Sequence, residues 1–169
     1  MTRKSCFLLS LLLLTACAPQ RPTDVDDEKV ALLRIHRQDI QAHVEGNVDA
    51  LLITIPDDMI VAGDGNVFHQ SRDQVRQFFT GYLEGAEYSR YEDLMVPHVE
   101  VSDDGTMGWV ISRTAVERTE PDGQGGRRER SFIYAGIMTY ENHGDGWVKV
   151  ANVSSFVKNG DETRQHLSP

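Results

Sequence analysis

Arg130-Ser131-Phe132-Ile133-Tyr134-Ala135-Gly136-Ile137-Met138-Thr139-Tyr140-Glu141 carries the strongest structural signal in this chain. After Asn142 to Gly146 it is followed by Trp147-Val148-Lys149-Val150-Ala151-Asn152-Val153-Ser154-Ser155-Phe156-Val157. β-Branched and aromatic residues recur with a period of two, which predicts strands near 130–141 and 147–157 joined by a tight turn. The period extends upstream over 106–118 and 90–102, with Asp103-Asp104-Gly105 as the intervening turn and Glu120 to Arg128 as a Gly-rich loop. Phe132, Tyr134, Met138 and Tyr140 fall on one strand face by parity. Trp109, Ile111 and Ala115 have the opposite parity to Val110 and Thr114, and either face of that strand can point inward.

The period differs N-terminal to these strands. From Asp26 to Gly46, Val30, Leu33, Ile40 and Val44 trace a helical stripe that Leu32 and Ile35 widen, and acidic residues gather where the helix dipole favours them. Gly46 suits the end of that helix, and Asn47 caps a short one through Leu51 and Leu52. Met59 to Ala62 reads as a short strand before a Gly63-Asp64-Gly65-Asn66 turn. Ser71 and Gln74 form a capping box for a further helix with Val75, Phe78, Phe79 and Tyr82 on its apolar side. Phe78→Ala is therefore expected to cost about 3–5 kcal/mol. Helices followed by four long antiparallel strands predict an α+β fold with helices on one sheet face.

The chain has 169 residues, with 17 Lys plus Arg against 26 Asp plus Glu, for a formal net charge of -9. Such a chain lacks the basic footprint that sequence-independent nucleic-acid binding needs. Arg3 and Lys4 precede an apolar run from Phe7 to Leu14 that is too short to span a bilayer. Leu14-Thr15-Ala16-Cys17 then matches a lipoprotein signal. This predicts a signal peptide at 1–16, lipidated Cys17 with a tether over 17–25, a domain at 26–158 and a flexible tail at 159–169. Cleavage would remove both basic residues, shifting the charge from -9 to -11, and would leave Cys17 as the sole cysteine. That count excludes an intrachain disulfide and a thiol nucleophile. Several acyl chains on Cys17 would anchor the protein in a membrane. Ala18 after the lipidated residue points to the outer membrane of a bacterial envelope, facing the periplasm.

Four motifs occur in order: Gly46-Asn47-Val48-Asp49-Ala50-Leu51-Leu52; Pro56-Asp57-Asp58-Met59-Ile60-Val61; Gln70-Ser71-Arg72-Asp73-Gln74-Val75-Arg76-Gln77-Phe78-Phe79; and Gly146-Trp147-Val148-Lys149-Val150 with Ser154-Ser155. Together they resemble the nuclear transport factor 2-like superfamily, and within it the SnoaL-like and ketosteroid-isomerase-like domains. The resemblance covers about residues 26 to 157. It implies a cone-shaped, cystatin-like fold with N-terminal helices packed on a curved, mostly antiparallel sheet. It also implies a pocket in the cone and, in many members, a dimer through the open sheet face. The isomerases' helix-one Tyr, base and acid positions fall here on Asp39, Gly63 and Gly136, so their catalytic set is unmatched.

His36, Asp39 and His43 lie on one helix face. They read as a polar stripe flanking the apolar one or as pocket lining. One metal could hardly reach both histidines, which stand about 10.5 Å apart along the helix axis. Tyr134 and Met138 join them as pocket candidates. Arg127-Arg128-Glu129-Arg130 reads as a solvated loop and strand start. The expected function is a non-catalytic, lipid-anchored binding or accessory domain for a small apolar ligand, without cofactor, metal or nucleic acid. Two alternatives remain: a cofactor-independent SnoaL-like enzyme (cyclase, isomerase or hydrolase) using Asp39 or Asp64, or a dimerising interaction domain. A carboxylate pointing into a partly apolar cone would be desolvated, so Asp39→Asn is expected to be tolerated or stabilising while weakening whatever the cone binds.

Overall fold

The period-two segments pair into one seven-stranded sheet. A computed structural model describes residues 24–157. The signal peptide, Cys17, the tether up to residue 23 and the tail at 159–169 lie outside the described residues. The described residues form three helices: α1 (Val25–Val44), α2 (Val48–Leu51) and α3 (Arg72–Leu83). The strands are β1 (Asp58–Gly63), β2 (Asn66–Ser71), β3 (Glu87–Asp93), β4 (His98–Val101), β5 (Met107–Pro121), β6 (Arg127–Asn142) and β7 (Trp147–Phe156). The order is β2-β1-β7-β6-β5-β3, with β4 also on β5; only β1 and β7 run parallel. Asp24 caps α1, Asn47 caps α2, and Ser71 and Gln74 form the capping box of α3.

Three expectations are corrected. The segment 66–71, read as part of a turn and the approach to a helix, is a strand, because Asp64 (φ 49°) and Gly65 (φ 80°) close a hairpin. The segment 90–102 is two strands, β3 and β4, that pair in turn with β5. The Gly-rich loop is shorter than expected, since β5 and β6 run on to Pro121 and Arg127.

Helix phase is corrected as well. Leu32, His36 and Ala42 are buried along α1, whereas Val30 is 67% exposed and Val44 is also at the surface. The inward stripe thus runs through the polar residues, because the sheet supplies partners for them. On α3, Val75 and Leu83 are buried and Phe79 packs partly against both, but Phe78 is 54% exposed. Phe78→Ala is now expected to change unfolding free energy by less than about 1 kcal/mol in a denaturant melt.

Register fixes which strand face meets the helices. Gly108, Val110, Ser112, Thr114 and Val116 of β5 stand opposite Tyr140, Met138, Gly136, Tyr134 and Phe132 of β6, and this is the inner face. Leu32, Val101, Val110, Tyr140 and Trp147 fill one end beneath α1. Leu52, Ile55, Met59 and Val75 fill the other. α1 packs over β3, β4 and β5, and α3 over β2, so the inner face of β6 and β7 toward Phe132 and Phe156 is thinly covered. Trp109, Ile111, Ile133, Ile137 and Val153 lie on the outer face.

Candidate functional site

All five pocket residues expected from the sequence lie on the inward side of their elements. His36 is 3% exposed, and its Nε2 stands 2.8 Å from Asp93 Oδ2 on β3. Thr114 donates to the other oxygen of Asp93 at 3.1 Å. One helical turn along, Asp39 accepts from Lys149 Nζ at 2.5 Å. Burial alone would lower the Lys149 pKa, but the adjacent Asp39 carboxylate overrides it and holds the ammonium above the ordinary lysine range. Asp39 is thus half of a buried ion pair, a partner that the sequence reading did not name. Met138 packs against the Leu32 cluster. Tyr134 meets Tyr91, with their hydroxyls 3.1 Å apart.

His43 differs from the other two polar residues of its stripe. Its Nδ1 lies 2.7 Å from the backbone carbonyl of Asp39. A carbonyl only accepts, so Nδ1 carries the hydrogen. Burial lowers the His43 pKa below the ordinary 6.5, against the opposing pull of the Asp39 carbonyl. The ring is therefore neutral at pH 7, and Nε2 presents a lone pair. Its surroundings are aromatic: ring centroids lie 5.0 Å from Tyr91, 5.3 Å from Phe79 and 6.5 Å from Tyr82.

Because the folded chain resists protonating His43, the unfolded chain binds more protons once the pH drops below about 6.5. Stability is expected to fall as pH is lowered through that range, and His43→Gln should remove part of the slope. Chemical melts at about pH 7.5 and 5.5 check this; equal slopes for both proteins would refute a neutral, buried His43.

Two aromatic groups flank the interior. Phe78, Phe79, Tyr82, Tyr88, Tyr91 and His43 make one. Phe132, Tyr134 and Phe156 make the other, and the Tyr91–Tyr134 hydroxyl contact joins them. Phe156 remains 46% exposed although it lies on the inner face. Below the first group, Arg118 stacks 3.8 Å over Tyr82, donates to the Tyr82 carbonyl and the Tyr88 hydroxyl, and pairs with Glu120. Arg128 and Arg130 share that carboxylate. Burial pushes the Glu120 pKa up, but the three guanidiniums hold it below its ordinary value. The basic cluster read as a solvated loop is thus partly tied down on the inner face.

A separate groove of about 660 Å³ opens on the flank of α1, between α2 and the start of β7; Asp39 and Trp147 reach its wall. Among the described residues, no group of three His, Cys, Asp or Glu side chains is placed to hold a metal ion, and no helix is long and apolar enough to cross a membrane. Asp64, the alternative acid–base residue, sits exposed at a hairpin tip.

Asp93, Tyr91 and Lys149 escaped the sequence reading. Lys149 left a signal: it is a charge at the inward parity of the apolar run Trp147 to Ala151. Asp93 and Tyr91 left none, because the register of β3 on β5 is set by a bulge between Tyr88 and Arg90.

No protein-family model matches the chain, and no curated protein sequence does. Solved structures do. A ketosteroid isomerase-like protein from Erwinia carotovora atroseptica superposes with a TM-score of 0.60 at 16% identity, over 79% of this chain and 99% of that one. A nuclear transport factor 2-like protein from Cytophaga hutchinsonii gives 0.59 at 8% identity, over 75% and 95%. A protein with a cystatin-like fold from Nostoc punctiforme gives 0.55 at 11%, over 78% and 92%. The chain has the nuclear transport factor 2-like, cystatin-like fold. Identities this low establish that fold and leave the activity to the site.

Proposed function

We propose that the chain is a non-catalytic binding or accessory module, held to the bacterial envelope by a lipid on Cys17, that takes a small apolar or amphipathic ligand in the interior that the two aromatic groups flank. One observation carries this reading: the two carboxylates facing the interior are engaged with neighbouring side chains. Asp39 holds Lys149, and Asp93 holds His36 and Thr114. The groups left for a ligand are aromatic faces, tyrosine hydroxyls and the His43 Nε2 lone pair, which suit recognition.

Native mass spectrometry of the protein purified from its host, together with uptake of the neutral fluorophore Nile red, tests the proposal. A bound small molecule and enhanced fluorescence are expected; a bare chain that ignores Nile red would overturn it. For the anchor, Cys17→Ser should abolish lipid labelling and cleavage. A variant that still matured at residue 17 with a lipid would refute that part.

A second reading, self-association through the outer face of the sheet, draws on the apolar row Trp109, Ile111, Ile133, Ile137 and Val153, where Val153 is exposed. The same mass spectra report the number of chains per particle.

A further inference from the structure

The inner face of the sheet carries three rows of residues that run across the strands. The middle row is Gly63 on β1, Ser154 on β7, Gly136 on β6 and Ser112 on β5, each directly opposite the next. On one side stand Val61, Asn152, Met138 and Val110; on the other stand Phe156, Tyr134, Thr114 and Asp93. A line of glycines and serines between two lines of larger side chains is a trough. With strands about 4.8 Å apart, four of them make it about 14 Å long. At Gly63 and Gly136 no helix atom is among the nearest neighbours of an added Cβ. A Cβ built on Gly136 would find Val153, Ser154 and Tyr134 nearest, and one built on Gly63 would meet only Ser154 within 4 Å.

The trough ends under α1 at Ser112. That residue is 1% exposed, and its hydroxyl has no hydrogen-bond partner. An unpaired buried hydroxyl costs free energy that a ligand group could recover. We infer that the Gly63–Ser154–Gly136–Ser112 trough binds a narrow, neutral, hydroxyl-bearing apolar molecule, with its hydroxyl at Ser112. The inference rests on the interior-binding reading above and names its ligand class. Neutrality follows from the local charges. Asp39 and Asp93 lie nearby, and their partners Lys149 and His36 are already engaged with them, so a carboxylate head would be buried without a counter-ion. The apolar body follows from Met138, Val61 and Phe156 along the sides, and its narrowness from a trough one residue wide.

The test uses the purified full-length chain with 1-octanol and octanoate as probes, read by isothermal titration and thermal melts. Octanol is expected to bind and to raise the melting temperature, and octanoate to bind at least about tenfold more weakly. Ser112→Ala should weaken octanol binding about five- to tenfold, the worth of one buried hydrogen bond, while melting no lower than the parent. Ser154→Leu, which fills the trough midway, should abolish octanol binding. The inference is overturned if octanoate binds as well as octanol, if Ser112→Ala leaves octanol binding unchanged, or if octanol does not bind at all. Nile red separates the two readings: uptake of the dye without octanol binding would leave the interior-binding reading standing and remove only the ligand class and its trough.

Discussion

Lys149→Met is expected to lower the unfolding free energy by about 3–5 kcal/mol, because it leaves the Asp39 carboxylate buried with no counter-charge. Both side chains are largely shielded from water, at 10% and 15% exposure. Asp39→Asn should also destabilise, since it leaves the ammonium without its anion; this reverses the tolerance expected from the sequence. The double variant Asp39→Leu/Lys149→Met should recover most of the loss, because it removes both charges together. Denaturant melts of the parent and these three variants read the changes, and Asp39→Leu alone closes the cycle that gives the coupling. If either single substitution costs less than about 1 kcal/mol, the pair is solvated and the interior is wetter than the geometry indicates.

Leu32→Ala is expected to cost about 2.7–5 kcal/mol. Leu32 is fully buried at the centre of the cluster with Val101, Val110, Tyr140 and Trp147. Its Cδ1 lies 2.5 Å from where a Cβ on Gly108 would be, so the glycine on β5 is what lets the helix approach this closely. The space left by truncation is walled by rings and a strand and cannot collapse easily. Val30→Ala, two residues away on the opposite side of α1, should change stability by less than about 0.5 kcal/mol. The two melts together measure the helix phase, and comparable losses at both positions would refute the inward stripe described above.

Much of the fold was legible because local chemistry specifies it. The capping box at Ser71 and Gln74, the Asn47 cap, the Asp103-Asp104-Gly105 turn and the period-two runs each depend on residues close in sequence. The shared face of Tyr134, Met138 and Tyr140 was legible for the same reason, since alternation along one strand is a local property, whereas its inward direction came only with the register. The site was legible only in part. His36, Asp39 and His43 could be placed on one helix face by spacing, but spacing cannot say whether that face is wet.

Sequence alone therefore determined most of the element types, the α+β class and the sharing of faces within those elements. Tertiary structure decided which face of α1 turns inward, that Asp39 meets Lys149 and His36 meets Asp93, and that four small residues from four strands form one row. The physical reason is partnership at long range. Burying a polar side chain costs free energy unless another segment satisfies it, and hydrophobic periodicity assigns such residues to solvent by default. Here Asp93 and Lys149, 57 and 110 residues away from their partners, satisfy them, and strand register alone brings those partners opposite the helix.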